Sequence, residues 1–222
     1  MTWLTPELGS HLVDLCSAFL LLTCFAIVAQ RRLSACVDLF ALQSFLLALT
    51  AALVAVLTGL RHIYLAAAMT VVVKVIVIPR VLKRVIERLN VTRELVMNIN
   101  VPASLLISGA LVMVAFFITQ PIISFGHLLT RDSLAIALAI VLIGFFTMIA
   151  RQKAVTQMIA FLVMENGLFL GATAATYGMP LIVELGVFFD VLVAALIAGI
   201  YTDRLQDAFD SVDTNRLSEL KE

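Results

Sequence analysis

The chain has 222 residues, 62% of them hydrophobic and only 14% charged, with a mean hydropathy of +1.09. A soluble domain carries roughly 25% charge, so this composition excludes a globule with an ordinary water-facing surface. Basic and acidic residues balance at 15 each. Net charge therefore points to neither a nucleic acid nor an acidic substrate, and the placement of the charges is what informs.

From the N-terminus, residues 1–10 contain no Lys or Arg. A cleaved signal peptide needs a positive start, so the first apolar segment is expected to stay as a helix. Crossing a bilayer takes about 20 mostly apolar residues. Seven such segments follow one another, at 8–29, 36–60, 62–79, 101–125, 133–150, 154–178 and 181–202. The third is short and is expected to close at Pro79. The fourth and seventh start beside Pro102 and Pro180, where a first-turn proline is tolerated. None of the segments alternates as barrel strands do, and apolar runs this long must satisfy their backbone internally. The expected fold class is an all-α integral membrane bundle of about seven transmembrane helices.

The charges between segments set an expected orientation. With seven spans, one side receives Arg31 and Arg32, then Arg80, Lys83, Arg84, Arg88 and Arg93, then Arg151 and Lys153, and finally Arg204, Arg216 and Lys221. The other side receives only Arg61 and Arg131, while Lys74 falls within a helix. Cytoplasmic loops carry the excess of basic residues, which predicts the N-terminus outside and the C-terminus inside. The chain then divides into a three-helix unit (1–79), a basic and partly helical cytoplasmic loop (80–100) suited to the headgroups or a partner, a connecting helix (101–125), a second three-helix unit (126–202) and an acidic cytoplasmic tail (203–222). Sliding one unit onto the other by 122 residues places Gln43 over Glu165 and His62 over Glu184, with identity near chance.

Metal and nucleotide chemistry find no support. Cys16, Cys24 and Cys36 form no CxxC pair and have no histidine at ligand spacing, and they read as small apolar residues. There is no glycine-rich phosphate loop and no basic stretch interleaved with aromatics. No cofactor and no nucleic-acid partner is expected.

The polar groups inside the helices are more telling. An ionisable residue at a helix centre costs on the order of 2.5–3.5 kcal/mol to insert, so such groups tend to face protein or water and to be functional. Lys74, Glu165 and Asp190 fall near segment centres, together roughly 8–10 kcal/mol if left unpartnered. Desolvation disfavours the charged form of any ionisable group, which lets a buried acid load and unload a proton near neutral pH. Glu165 and Asp190 are therefore the expected proton carriers, with Lys74 as electrostatic modulator. A neutralised structural pair is the alternative for each. Asp14 and Glu184 lie nearer the outer side, and Asp38 lies at an interface. Gln43 reads as a helix–helix hydrogen-bonding group or a relay member. His11, His62 and His127 lie near the outer ends. Gly186, Asp190, Ala194 and Ala198 form a small-residue stripe, and Gly167 with Gly171 forms a small-xxx-small pair roughly opposite Glu165. That helix is expected to pack tightly through its glycines on one neighbour and to present Glu165 to another.

The stretch from Phe161 through Met164, Glu165, Asn166 and Gly167 to Gly171, followed by Glu184 to Ala194 with Asp190, resembles component E of hydrogenase-4. That family comprises membrane subunits of formate-hydrogenlyase-type group 4 nickel–iron hydrogenase complexes. Leu42 to Ala48, His62 to Ala68, Lys74 and Ile78-Pro79 fit it as well. The resemblance spans nearly the whole chain. The last three helices are also similar, more distantly, to the small K subunit of respiratory complex I and the C subunit of multisubunit cation/proton antiporters. In the K subunit the corresponding helices carry membrane-embedded glutamates. Here the third-helix acid is an aspartate, and the spacing between the two acids is tighter. The resemblance implies a non-redox subunit, not catalytic alone, in the plasma membrane of a prokaryote. Its partners would be antiporter-like and anchor subunits and, through them, a nickel–iron peripheral arm. A cation/proton antiporter subunit and a structural or assembly subunit are the rival expectations.

Overall fold

The computed structural model of the chain describes residues 6–59, 61–88, 99–124 and 131–176. Helix α1 spans Pro6–Ala29 and α2 spans Leu33–Thr58. A continuous helical rod follows, made of α3 (Arg61–Thr70), a π-helical segment (Val71–Val77) and α4 (Ile78–Arg88). Then come α5 (Val101–Ser124), α6 (Arg131–Ala150) and α7 (Ala154–Thr176). Six stretches among the described residues are long and apolar enough to cross a bilayer. They coincide with the first six predicted segments. The seventh, 181–202, lies outside the described residues, and so do Glu184, Asp190, His127 and the tail.

Four helices close a ring. α1 packs on α2, α2 on α7, α7 on α6, and α6 back on α1. The rod lies outside this ring along α2, and α5 lies outside it on α6 and α1. Phe40, Leu20, Leu47, Ile143 and Leu162 fill the centre. Most hydroxyls in the helices donate back to their own backbone one turn earlier: Thr50 to Leu46, Thr70 to Ala66, Ser108 to Ser104, Thr147 to Ile143 and Thr173 to Phe169. This is the usual local solution for a hydroxyl within a helix.

The helix ends follow sequence chemistry. Asn100 Oδ1 accepts the Ala103 N–H at 3.1 Å and so caps α5, with Pro102 in the first turn where no N–H is missed. α2 ends at Gly59, which sits at φ 70° and returns its N–H to Ala55 at 2.9 Å. That left-handed closure favours glycine.

Pro79 does not close the third helix, contrary to expectation. The rod runs through it to Arg88. Proline lacks the N–H for the α-helical bond and crowds the carbonyl four residues back. The preceding turn is widened instead, and the Ile78 N–H reaches Val73 O, five residues back. Arg61–Arg88 is then about 42 Å long at 1.5 Å per residue, beyond a hydrocarbon core of about 30 Å. The overhang carries the basic residues. Leu82, Val85 and Ile86 of α4 are buried in the bundle core, so the near half of the predicted basic loop is packed helix with Arg80 and Arg84 outward.

Three connections meet at one end of the bundle. Arg151, at the α6–α7 turn, is buried and donates through Nη2 to Val28 O at 2.7 Å and to Gln30 O at 3.4 Å. It thereby satisfies carbonyls that the C-terminus of α1 leaves open. Lys83 of α4 pairs with Asp38 near the start of α2, both exposed. The loops sorted together by charge in the sequence, after the first, third and fifth segments, are thus neighbours.

Candidate functional site

Glu165 stands halfway along the spanning part of α7, and Lys74 halfway along the rod. Lys74 Nζ lies 3.0 Å from Glu165 Oε1. The two residues are 1% and 5% exposed. Lys74 lies in the middle of the π-helical segment that Pro79 provokes, so the proline shapes the turn that carries the lysine.

Glycines let α7 reach this position. A Cβ on Gly167 would lie 2.9 Å from Val141 N and 3.0 Å from Ala137 O on α6. One on Gly144 of α6 would lie 2.8 Å from Met164 Cβ. One on Gly171 would meet Ala137 Cβ at 3.3 Å. α7 therefore closes on α6 through its glycines and turns Glu165 to the rod. This is the division of faces read from the small-residue spacing.

An arm of amides extends from the pair. Lys74 Nζ donates to Asn166 Oδ1 at 3.2 Å. Asn166 Nδ2 donates to Gln43 Oε1 and to Ser44 Oγ on α2, each at 3.2 Å. Gln43 Nε2 donates to Leu20 O on α1 at 3.2 Å. Gln43, Ser44, Asn166 and Lys74 are all buried. The arm thus ties together α1, α2, α7 and the rod at one depth.

A second polar cluster lies toward the other end of α1 from Arg151. Ser133 Oγ donates to Asp14 Oδ1 at 3.1 Å and lies 2.8 Å from Ser17 Oγ. Both serines are fully buried, and Asp14 is half-buried. This cluster is separate from the central pair.

Of the residues singled out in the sequence, Lys74, Glu165 and Gln43 come together and Asp14 stands apart. Asp38 sits in the exposed pair with Lys83, and His11 is exposed. The side chain of His62, and Glu184 and Asp190 entirely, lie outside the described residues. In the sequence Asn166 stands out only as part of the stretch around Glu165, yet it is the junction of the arm. Ser44, adjacent to Gln43, was a further signal on the same helix. Chemically the site offers one exchangeable proton between an amine and a carboxylate, with amide dipoles on one side.

No family model matches the chain, and no solved structure matches it. It is 36% identical over 214 residues to Uncharacterized protein Rv0085 of Mycobacterium tuberculosis, covering 96% of this chain and 97% of that one. It is 21% identical over 216 residues to Hydrogenase-4 component E of Escherichia coli and of Shigella flexneri, covering 96% of this chain and 99% of those. A multi-pass helical membrane protein by its spans, the chain belongs to the family of the mycobacterial protein Rv0085, with Hydrogenase-4 component E as a distant relative.

Proposed function

We propose that the chain is a non-redox membrane subunit of a complex I-like, hydrogenase-4-type complex and contributes part of an intramembrane proton path. The observation that carries this reading is the buried Lys74–Glu165 pair, 3.0 Å apart at mid-depth. A helix bundle that serves only as an anchor has little reason to bring both charges to the bilayer centre. In this reading Glu165 carries the proton and Lys74 sets its occupancy. Asp190 continues the path in the C-terminal, K-subunit-like unit 126–202, and Glu184, Asp14 and His62 are outer-side candidates. The near-full-length similarity to Hydrogenase-4 component E supports membrane-subunit partners: antiporter-like and anchor subunits, with a nickel–iron arm beyond them. The clustering of the basic connections at one bundle end supports a cytoplasmic C-terminus in the plasma membrane of a prokaryote.

The test is Glu165→Gln in membrane vesicles containing the assembled complex. Electron transfer to artificial acceptors stays intact while coupled proton movement weakens. Undiminished proton movement in that variant removes the role. A structural reading is favoured by one observation, that the lysine and the acid already balance each other, and the variant pair developed in the Discussion separates the two.

A further inference from the structure

Lys74 as an ammonium has donors only. The atom of Asn166 that faces it must therefore be the carbonyl oxygen, and it is, at 3.2 Å. That choice turns the Asn166 amide nitrogen toward α2, where it meets Gln43 Oε1 and Ser44 Oγ. Gln43 is turned in its own right, because its nitrogen has a backbone acceptor, Leu20 O. Every group along the arm thus points its acceptor toward the lysine and its donor away. The polarity is anchored at the far end by a carbonyl that cannot reverse. Such a chain favours a positive charge at its near end.

We propose that Asn166 is a positioning residue that keeps the central pair ionic, with the proton on Lys74 Nζ and Glu165 as carboxylate. The poled arm from Asn166 through Gln43 to the Leu20 carbonyl supplies that bias. The step it controls is a single transfer: an Nζ–H bond breaks, an O–H bond forms on Glu165, and both groups become neutral. With the arm in place the proton rests on nitrogen, and loss of the arm lets it settle on Glu165. This deepens the reading of Glu165 and Lys74 as proton-handling groups and rests on it for its functional meaning.

Uncharged groups meet the pair from α2, α6 and α1. α2 meets it with Gln43 and Ser44, and α6 meets this turn of α7 with Ala137, Ile140 and Val141. α1 offers the Leu20 carbonyl, with the buried thiol of Cys24 one turn further along. On the rod, Thr70 gives its hydroxyl proton to Ala66 O. Asp38 with Lys83, Asp14 with Ser133, and Arg151 on α1 carbonyls belong to other clusters.

The experiment is infrared spectroscopy of the full chain in lipid nanodiscs at pH 7, read at the carboxyl C=O stretch of a protonated buried acid. In the wild type Glu165 is expected to contribute nothing to this band. Asn166→Leu should gain it, because one charge-assisted hydrogen bond corresponds to a roughly tenfold change in proton partition. The double variant Asn166→Leu with Glu165→Gln should lose it again, which assigns the band. Asn166→Gln, which keeps a carbonyl acceptor, should remain without it. Where the leucine variant gives no folded protein, Asn166→Ser serves, with the band expected there too. A wild-type band that Glu165→Gln removes overturns the proposal. So does an Asn166→Leu or Asn166→Ser variant that folds, even at reduced yield, and shows no band. Vesicle assays on Glu165→Gln fail separately: persistent proton movement there removes the coupling role while the infrared result still stands or falls by itself.

Discussion

Removing Lys74 and Glu165 singly and together separates a working pair from a structural one. Lys74→Met takes away the ammonium 3.0 Å from Glu165 Oε1 and the donor to Asn166 Oδ1. Breaking a buried pair by one partner costs about 3–5 kcal/mol, because the other charge is left uncompensated. Glu165→Leu strands the ammonium in the same way. The double variant removes both charges, and well-packed apolar replacements of buried pairs are often neutral or stabilising. We therefore expect each single variant to lose about 3 kcal/mol or more and the double variant to fall within about 1 kcal/mol of wild type. The coupling in this cycle would then be several kcal/mol. The assay is the folded fraction in mixed micelles titrated with dodecyl sulfate, followed by circular dichroism. Strict additivity, or single variants that cost under about 1 kcal/mol, would refute the electrostatic reasoning. The same double variant then serves in vesicles. If it folds and assembles, coupled proton movement is lost under the proposed function and untouched under the structural alternative.

Two further outcomes follow from packing and caps. Gly144→Ala and Gly167→Ala each force a Cβ to within 3.0 Å of α7 or α6 atoms and should lower stability by about 1–3 kcal/mol, whereas Gly109→Ala on α5, with nothing within 4 Å, should be neutral or gain up to about 1 kcal/mol; the micelle titration distinguishes the three. Arg151→Met should cost about 2–3 kcal/mol by leaving Val28 O without its charged donor, and hydrogen exchange should quicken at the α1 end and the α6–α7 turn before the bundle centre.

The spans were legible because a bilayer demands long uninterrupted apolar runs, and six of the seven predicted coincide with helices in the described residues. Pro79 was misleading for a physical reason: a missing N–H ends an α-helix unless the preceding turn can widen, and nothing in composition announces that it does. Gly167 and Gly171 were readable as a contact face because four-residue spacing fixes which side they share. Asn166 was not readable as a junction. Its position is one residue from Glu165, but which helix it meets depends on the whole ring of α1, α2, α7 and α6. Arg151 looked like a loop charge, and only the approach of two chain reversals turns it into a buried cap. Pairing of Lys74 with a carboxylate was foreseeable from cost alone. That the partner is Glu165 follows from the rod's place along α2 and against α7, which a sequence of helices does not specify.

The wide turn before Pro79 also has a geometric consequence. Along the rod the buried positions Thr70, Lys74, Ile78, Leu82 and Ile86 recur at every fourth residue. In a regular α-helix each step of four overshoots a full turn by about 40°, so over four steps such a stripe would wander by roughly 160°. The rod behaves like a shaft keyed at two points, Lys74 at Glu165 and the Leu82–Ile86 face on α2, with a fixed angular offset between them. Rewinding Val71–Val77 to the ordinary pitch with no residue removed would turn one key by about 100° relative to the other. Either the ion pair or the α4 seat could then be kept, but not both.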